Sequence, residues 1–238
     1  MQAHSNFGLL SAQSIRQFQA LDSAVNNVAN ADTPGFKAVM LTFLPDRASP
    51  WKGKVPTSPR ETTNFTQGNT ISTGNPLDMA IVGEGFFTVE TPQGLAYTRD
   101  GRFSLNSRGE MVNMNGHLVT GDKGVIVIDG DHVDVDRTGA IQVDGEVVDT
   151  LRIVRFQNPA GLTRMGEGMY LDGEGRAGAL EDGESVVKNR ALEQSNVSVL
   201  EEMVRFIEIN RVFESYQKVM HTIQDMNQLS TNRVGRVG

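Results

Sequence analysis

Apolar residues recur at two different periods along this chain, and the period changes twice. Phe7, Ser11, Ser14, Phe18, Leu21, Val25 and Val28 are spaced alternately by four and three residues. This 3.5-residue period predicts a helix with one coiled-coil-like seam. Serines at 11 and 14 leave the first half of the seam weak. Asn and Asp then accumulate, and Thr33-Pro34-Gly35 stops the helix, because proline disfavours a helical residue before it. The same period returns at the other end, in Ile209, Val212, Tyr216, Val219, Ile223 and Met226. A second set (Val199, Met203, Phe206, Phe213 and Met220) falls on a neighbouring face. A helix apolar on two adjacent faces needs more than one neighbour. Asn196 is the expected N-cap, Glu201 and Glu202 suit the positive end of the helix dipole, and Arg233–Gly238 should fray.

Between these ends the period shortens to two. Phe87–Glu90, Leu95–Arg99, Arg102–Leu105 and Ile141–Val143 alternate apolar and polar residues, the pattern of half-buried strands. Asp100-Gly101 reads as a hairpin turn between two such runs, with further breaks at Arg108-Gly109, Asn115-Gly116, Asp129-Gly130 and Asp144-Gly145. Of the 25 glycines, 21 lie between Gly53 and Gly183, which separates a turn-rich middle from helical ends. Leu44 to Thr73, with Pro45, Pro50, Pro56 and Pro59, reads as a connector with limited structure of its own. The expected fold class is α+β, with N- and C-terminal helices pairing in a coiled-coil-like layer around a central, mainly antiparallel β domain. The expected divisions are an N-terminal helix and signature loop (1–36), a connector (37–75), the β domain (76–190) and a C-terminal helix (191–238).

Composition narrows the function more than the fold. A hydrophobic content of 38%, a charged content of 21% and a mean hydropathy of −0.30 describe a soluble chain. The net charge of −7 argues against a dedicated nucleic-acid binder. No run approaches the length of a membrane span, and the first ten residues lack the basic and apolar regions of a cleaved signal peptide. With no cysteine, thiol nucleophiles, thiolate metal sites and disulfides are excluded.

The candidate chemistry is thin. His4, His117, His132 and His221 share no motif, and each reads as an exposed or packing histidine. Asp129-Gly-Asp-His-Val-Asp-Val-Asp136 lacks the glycine and the closing glutamate of a calcium loop, and reads as a surface strand. Gly83-Glu-Gly85 lacks the third glycine of a dinucleotide fingerprint. The expectation is therefore no catalytic residue, no metal and no cofactor. Helical ends with spare apolar faces are the layout of a filament subunit. A glycan- or peptide-binding β module with helical dimerisation arms is the alternative.

Three runs carry a family likeness. Val25-Asn-Asn-Val-Ala-Asn-Ala-Asp-Thr-Pro-Gly-Phe-Lys37 resembles the N-terminal signature of flagellar axial proteins. Leu77–Val89 followed by Tyr97–Leu105 is similar to the β-domain opening shared by the rod and hook proteins, and Ser195–Val204 is similar to the start of their C-terminal helix. Pro34 departs from the usual Thr-Thr-Gly-Phe-Lys. The resemblance implies a structural subunit of the basal-body rod, exported unfolded by the flagellar type III apparatus without a cleaved signal and assembled where the rod crosses the periplasm. Its β domain would face outward and its helices would form inner layers. The implied partners are copies of itself and rod subunits of the FlgB, FlgC, FlgF and FlgG types, with no nucleic acid and no membrane insertion.

On this reading assembly is heterologous and does not close on itself. Phe18, Leu21, Val25 and Val28 pack against Ile209, Val212, Tyr216 and Val219, with Met203, Phe206, Phe213 and Ile223 extending the C-terminal surface. Two roles fit Asn26, Asn27 and Asn30: side-chain hydrogen bonds at the helix end or across subunits, and plain helix termination. Pro34 ends the helix, Gly35 permits a turn closed to other residues, and Phe36 anchors the connector.

Overall fold

The computed structural model describes residues 2–45, 56–173 and 175–234. The fold is α+β, mainly antiparallel β with two helices, and it divides into two compact units. Unit 1 takes Met1–Ala29, Val39–Thr62 and Ser198–Gly238, and unit 2 takes Asn30–Ala38 and Thr63–Val197. Unit 1 holds helix α1 (Gln2–Ala29), the paired strands β1 (Val39–Pro45) and β2 (Pro56–Thr63), and helix α2 (Val199–Val234). The side chains of Phe7, Ser11, Ser14, Ile223 and Met226 lie outside those described, as do residues 46–55 of the expected connector and residues 235–238 at the C-terminus. Among the described residues no helix is long and apolar enough to cross a membrane.

Unit 2 begins with β3 (Thr70–Ser72), β4 (Met79–Val82), β5 (Phe86–Thr91), β6 (Gly94–Thr98), β7 (Phe103–Leu105), β8 (Met111–Asn113) and β9 (Leu118–Gly121). It continues through β10 (Gly124–Val125), β11 (Val133–Val135), β12 (Ala140–Val143), β13 (Glu146–Thr150) and β14 (Ile153–Phe156). It ends with β15 (Thr163–Gly166), β16 (Met169–Leu171), β17 (Ala179–Glu181), β18 (Val186–Asn189) and β19 (Ala191–Glu193). The main sheet follows the path β15-β16-β6-β5-β9-β8-β7, and β11-β12-β13 form a separate three-stranded sheet. Two short pairings, β18 with β4 and β19 with β3, join the last strands of the unit to its first.

Strand β5 is buried on both faces rather than half-buried, and this places the core. Phe87, Val89 and the facing Ala96 enter one apolar cluster, with Met79, Ile81, Phe103, Met111 and Val119. Their alternate neighbours Phe86 and Tyr97 enter a second, with Val154, Phe156 and Tyr170. Edge-to-face aromatic pairs knit this second cluster, Tyr97 to Phe156 at 4.8 Å and Phe65 to Tyr170 at 5.1 Å. Each buried Phe is worth about 1.5–3 kcal/mol, so both faces of β5 contribute to the unit's stability.

Two local readings differ from the structure. Asp100-Gly101 follows β6, yet β6 pairs with β5 and β16 while β7 pairs with β8, so these residues close no hairpin. Gly101 has no positive φ; its backbone lies against Met79, and a Cβ there would collide with the Met79 carbonyl. The Asp-Gly turn that does close a hairpin is Asp144-Gly145, with φ of 52° and 92°, between β12 and β13. The expected connector also carries strands: β2 pairs with β1, and β3 with β19. Pro56 and Pro59 are compatible with β2 because a two-stranded sheet consists of edges.

Candidate assembly surfaces

In unit 1 the close of α1 is tied to β1 and α2 through one amide. Asn27 is fully buried. Its Oδ1 accepts from the Val39 N–H at 2.8 Å, and its Nδ2 donates to the Val39 carbonyl at 2.9 Å. The side-chain amide thus pairs with a peptide as a neighbouring strand would. The same Nδ2 donates to Glu202 Oε1 on α2 at 2.9 Å, and Ser23 Oγ adds a bond to the Val39 carbonyl at 3.0 Å. Glu202 is itself buried, with Arg205 Nη1 at 3.5 Å from Oε1, while its Oε2 has no hydrogen-bond partner among the described residues. Further along, the Phe18 and Phe213 rings meet edge-on at 5.1 Å.

The helix start differs from the expected one. Ser198 caps α2, its Oγ accepting from the Glu201 N–H at 3.4 Å. Asn196 lies in unit 2 instead: its Oδ1 accepts from Ala38 N–H at 2.8 Å, and its Nδ2 donates to the carbonyls of Asn64 and Thr66. An Asn offers both donors and an acceptor, and here two backbone segments, at Ala38 and at Asn64–Thr66, use them.

In unit 2 the signature loop folds as a turn on a charged core. Thr33 N–H donates to Asn30 O at 3.1 Å, Phe36 N–H to Thr33 O at 3.2 Å, and Gly35 N–H to Glu193 O at 2.8 Å. Gly35 has φ of +69°, and a Cβ on it would strike the backbone of Arg99 and Asp100. Phe36 is buried, with the Arg164 guanidinium over its ring at 4.8 Å. Next to it Lys37 is fully buried and donates to Glu193 Oε1 and to Thr66 O. Glu193 also accepts from Arg99 Nη1 at 3.3 Å and from Gly68 N–H at 2.9 Å. Arg99 Nη2 reaches Gly83 O at 2.7 Å, and its guanidinium lies 4.8 Å from the centre of the Phe86 ring. One buried carboxylate therefore holds two buried cations. Burial pushes the Lys37 ammonium and the Arg99 guanidinium below their ordinary values, and Glu193 works against that in both.

The residues expected at the assembly surface are distributed as follows. On α1, Ala24 and Asn27 are buried, Leu21 and Val28 half-buried, and Phe18, Val25 and Asn26 exposed. On α2, Ile209 is buried, Phe213 and Tyr216 half-buried, and Met203, Phe206, Val212 and Val219 exposed. In the loop Asn30 and Pro34 are half-buried and Gly35 and Phe36 buried. Ala24, Val25, Val28, Ala29, Met203 and Phe206 line an apolar cleft of about 280 Å³ in unit 1. Sequence reasoning passed over Lys37, Arg99 and Glu193, and gave Glu202 a helix-dipole role rather than the buried bond to Asn27. The one available signal was a lysine closing the Gly35-Phe36-Lys37 run, a type seldom buried without a partner. Among the described residues no three His, Asp or Glu side chains converge as a metal site.

Comparison with known proteins places these features in one family. Residues 80–148 match the family described as flagellar hook protein FlgE/F/G D1 domain. Residues 188–233 match the family described as flagellar basal body rod FlgEFG protein C-terminal. The chain is 33% identical to the flagellar basal-body rod protein FlgF of Caulobacter vibrioides, over 91% of this chain and 92% of that one. It is 30% identical to the FlgF of Mesorhizobium japonicum, over 89% of each. It is 31% identical to the flagellar basal-body rod protein FlgG of Bacillus subtilis, over 92% of this chain and 95% of that one.

Proposed function

The chain belongs to the flagellar basal-body rod protein family, and from that we propose how it builds the rod. It is a structural subunit of the basal-body rod, in a family that assembles with other rod and hook subunits. In our reading it polymerises through its terminal helices by heterologous contacts that do not close, the kind that generate a helical tube. The observation that carries this is the apolar surface α2 leaves uncovered: Leu200 is 74% and Ile207 56% exposed, and Met203, Val204, Phe206, Val212 and Val219 are exposed beside the face turned to α1. Monomers rarely keep so much contiguous apolar surface without a partner for it. Phe18, Leu21, Val25 and Val28 serve the N-terminal side of the same helical layer, and Ile209, Tyr216 and Ile223 the C-terminal side. The coiled-coil-like pairing of the two ends is part of this proposal.

Within the family we read the chain as FlgF rather than FlgG, on Val204-Arg-Phe-Ile-Glu-Ile-Asn-Arg-Val-Phe213. Relatives of both names resemble it to nearly the same degree. Delivery by the type III export apparatus and a non-catalytic role complete the reading. Fractionation of purified basal bodies tests it. The chain is expected in the rod, at an axial height that separates FlgF from FlgG, and its absence from basal bodies overturns the reading. Leu21→Lys should block incorporation while unit 2 still folds. Normal rods from that variant would remove Leu21 from the assembly surface.

A further inference from the structure

Helix α2 carries two uncovered apolar surfaces that differ in shape, height and direction. At 100° per residue, Phe206, Val199, Met203, Ile207, Leu200 and Val204 fan over an arc of about 160°, all of them exposed and all within the first nine residues of the helix. The second surface is narrow. Val212 and Val219, seven residues apart and both exposed, stack on the other flank of the α1-facing side, which Glu202 and Ile209 mark by their burial. The centres of the two surfaces are turned about 150° from each other and lie about 20 Å apart along the axis. They do not overlap, so both can be occupied at once.

The wide surface runs into the cleft walled by Val25, Val28, Met203 and Phe206. At about 280 Å³, open and wholly apolar, the cleft lacks the converging polar groups of a small-molecule pocket. It has the size and chemistry to seat aliphatic side chains. Charge selects which ones. Residues 201–208 carry Glu201, Glu202 and Glu208 against Arg205, whereas residues 211–218 carry Arg211 and Lys218 against Glu214. The half of α2 with the cleft is acidic, and the half with the valines is basic, so one copy's acidic half attracts another's basic half.

We infer that the Met203–Phe206 cleft of one copy of this chain receives the Val212–Val219 stripe of a second copy, head to tail. The inference rests on the rod-subunit reading and names the partner surface within it. Socket and stripe sit on different parts of one helix, so the contact is heterologous and each added copy presents a fresh socket.

Because the chain has no cysteine, disulfide trapping maps the contact without background. Full-length Met203→Cys and Val219→Cys chains, one of them tagged, are oxidised separately and as a mixture, in purified form and in basal-body preparations. The expected result is a cross-linked pair joining position 203 of one copy to 219 of the other, at least tenfold above either variant alone and above an Arg211→Cys control, with the yield falling in high salt. Dominant 203–203 pairs would make the contact two-fold symmetric and overturn the inference. So would cross-links from position 203 only to other rod proteins, or none above the control. Sedimentation supplies a second reading: Met203→Lys and Val219→Lys should each weaken self-association at least tenfold, and the double variant no further. Additive losses from the two would mean separate surfaces and overturn the inference. Near-UV circular dichroism of the unit 2 tyrosines confirms folding of each variant. The rod-subunit reading fails on a different result, absence of the chain from basal bodies; the inference fails when the chain is present there and 203 does not reach 219.

Discussion

Replacing Glu193 by glutamine keeps the shape of the side chain and removes its charge. In the native fold that carboxylate is fully buried and accepts from Lys37, Arg99 and Gly68. The glutamine has one acceptor oxygen where the carboxylate had two, and its amide turns donors towards cations that are donors themselves. Two buried cations then lose the carboxylate bonded to them, with Arg99 keeping only the more distant Asp182 and Glu84, and removing one member of a buried ion cluster typically costs about 3–5 kcal/mol. Lys37 can relieve part of this by losing its proton, because Glu193 is what opposes the effect of burial on it. The sign follows from proton binding. With the Lys37 value depressed in the folded variant, the unfolded chain binds more protons over the interval up to the ordinary lysine value, so the variant gains stability as pH rises there. Urea unfolding followed by near-UV circular dichroism of Tyr97 and Tyr170 should therefore show a deficit that narrows as pH is raised. Lys37→Met should cost less than Glu193→Gln, since it leaves Glu193 bonded to Arg99 and Gly68. A deficit under about 1 kcal/mol, or one that is the same at every pH, would refute the reasoning.

Three further outcomes are expected. Gly35→Ala should destabilise unit 2 by more than about 2 kcal/mol, from left-handed strain plus the clash with the Arg99–Asp100 backbone; thermal unfolding checks it, and a neutral result would mean the loop can shift. Asn27→Ala strands the Val39 N–H and leaves Glu202 Oε1 only the 3.5 Å bond from Arg205, so it should cost unit 1 about 1–3 kcal/mol while leaving unit 2 alone, as read by hydrogen exchange of α1 and β1 amides. Burial pushes the Tyr170 hydroxyl up to about 12. The folded state therefore keeps a proton that the unfolded state releases above pH about 10, and stability present below that pH is lost at about 1.4 kcal/mol per pH unit. Tyr170→Phe should unfold with a shallower alkaline slope, and equal slopes would refute the assignment.

Periodicity carried the helices and the strands of the centre, because both follow from which side chains face a core. The glycine map marked the turn-rich middle for the same reason: Gly109, Gly116 and Gly145 fall in loops that close hairpins and adopt positive φ. What could not be read is what depends on distance in the chain. Lys37, Arg99 and Glu193 meet only because β6, β19 and the signature loop converge. Nothing in the spacing of three charges announces that. Among the described side chains of α1, Ala24 and Asn27 are the buried ones, but a pattern search weights large apolar residues and passes over a small one and an amide. Asp100-Gly101 has the composition of a hairpin turn, and close approach to Met79 rather than turn geometry accounts for its glycine. Asn196 matched a capping pattern two residues early because Ser198 could play the same part.

The pairing of β3 with β19 and of β4 with β18 sets the order in which unit 2 can form. Ser72 meets Ala191, and Met79 meets Asn189, so each closure joins residues roughly 110–120 positions apart and pays a loop-closure entropy that grows with their separation. Such long-range pairing places the unit among slow-folding β topologies. Glu193, the counter-charge for Lys37 and Arg99, is the last residue of the last strand. A chain shortened before it would therefore leave both cations without their partner and the signature loop without its seat. The native state of this unit waits on its final strand.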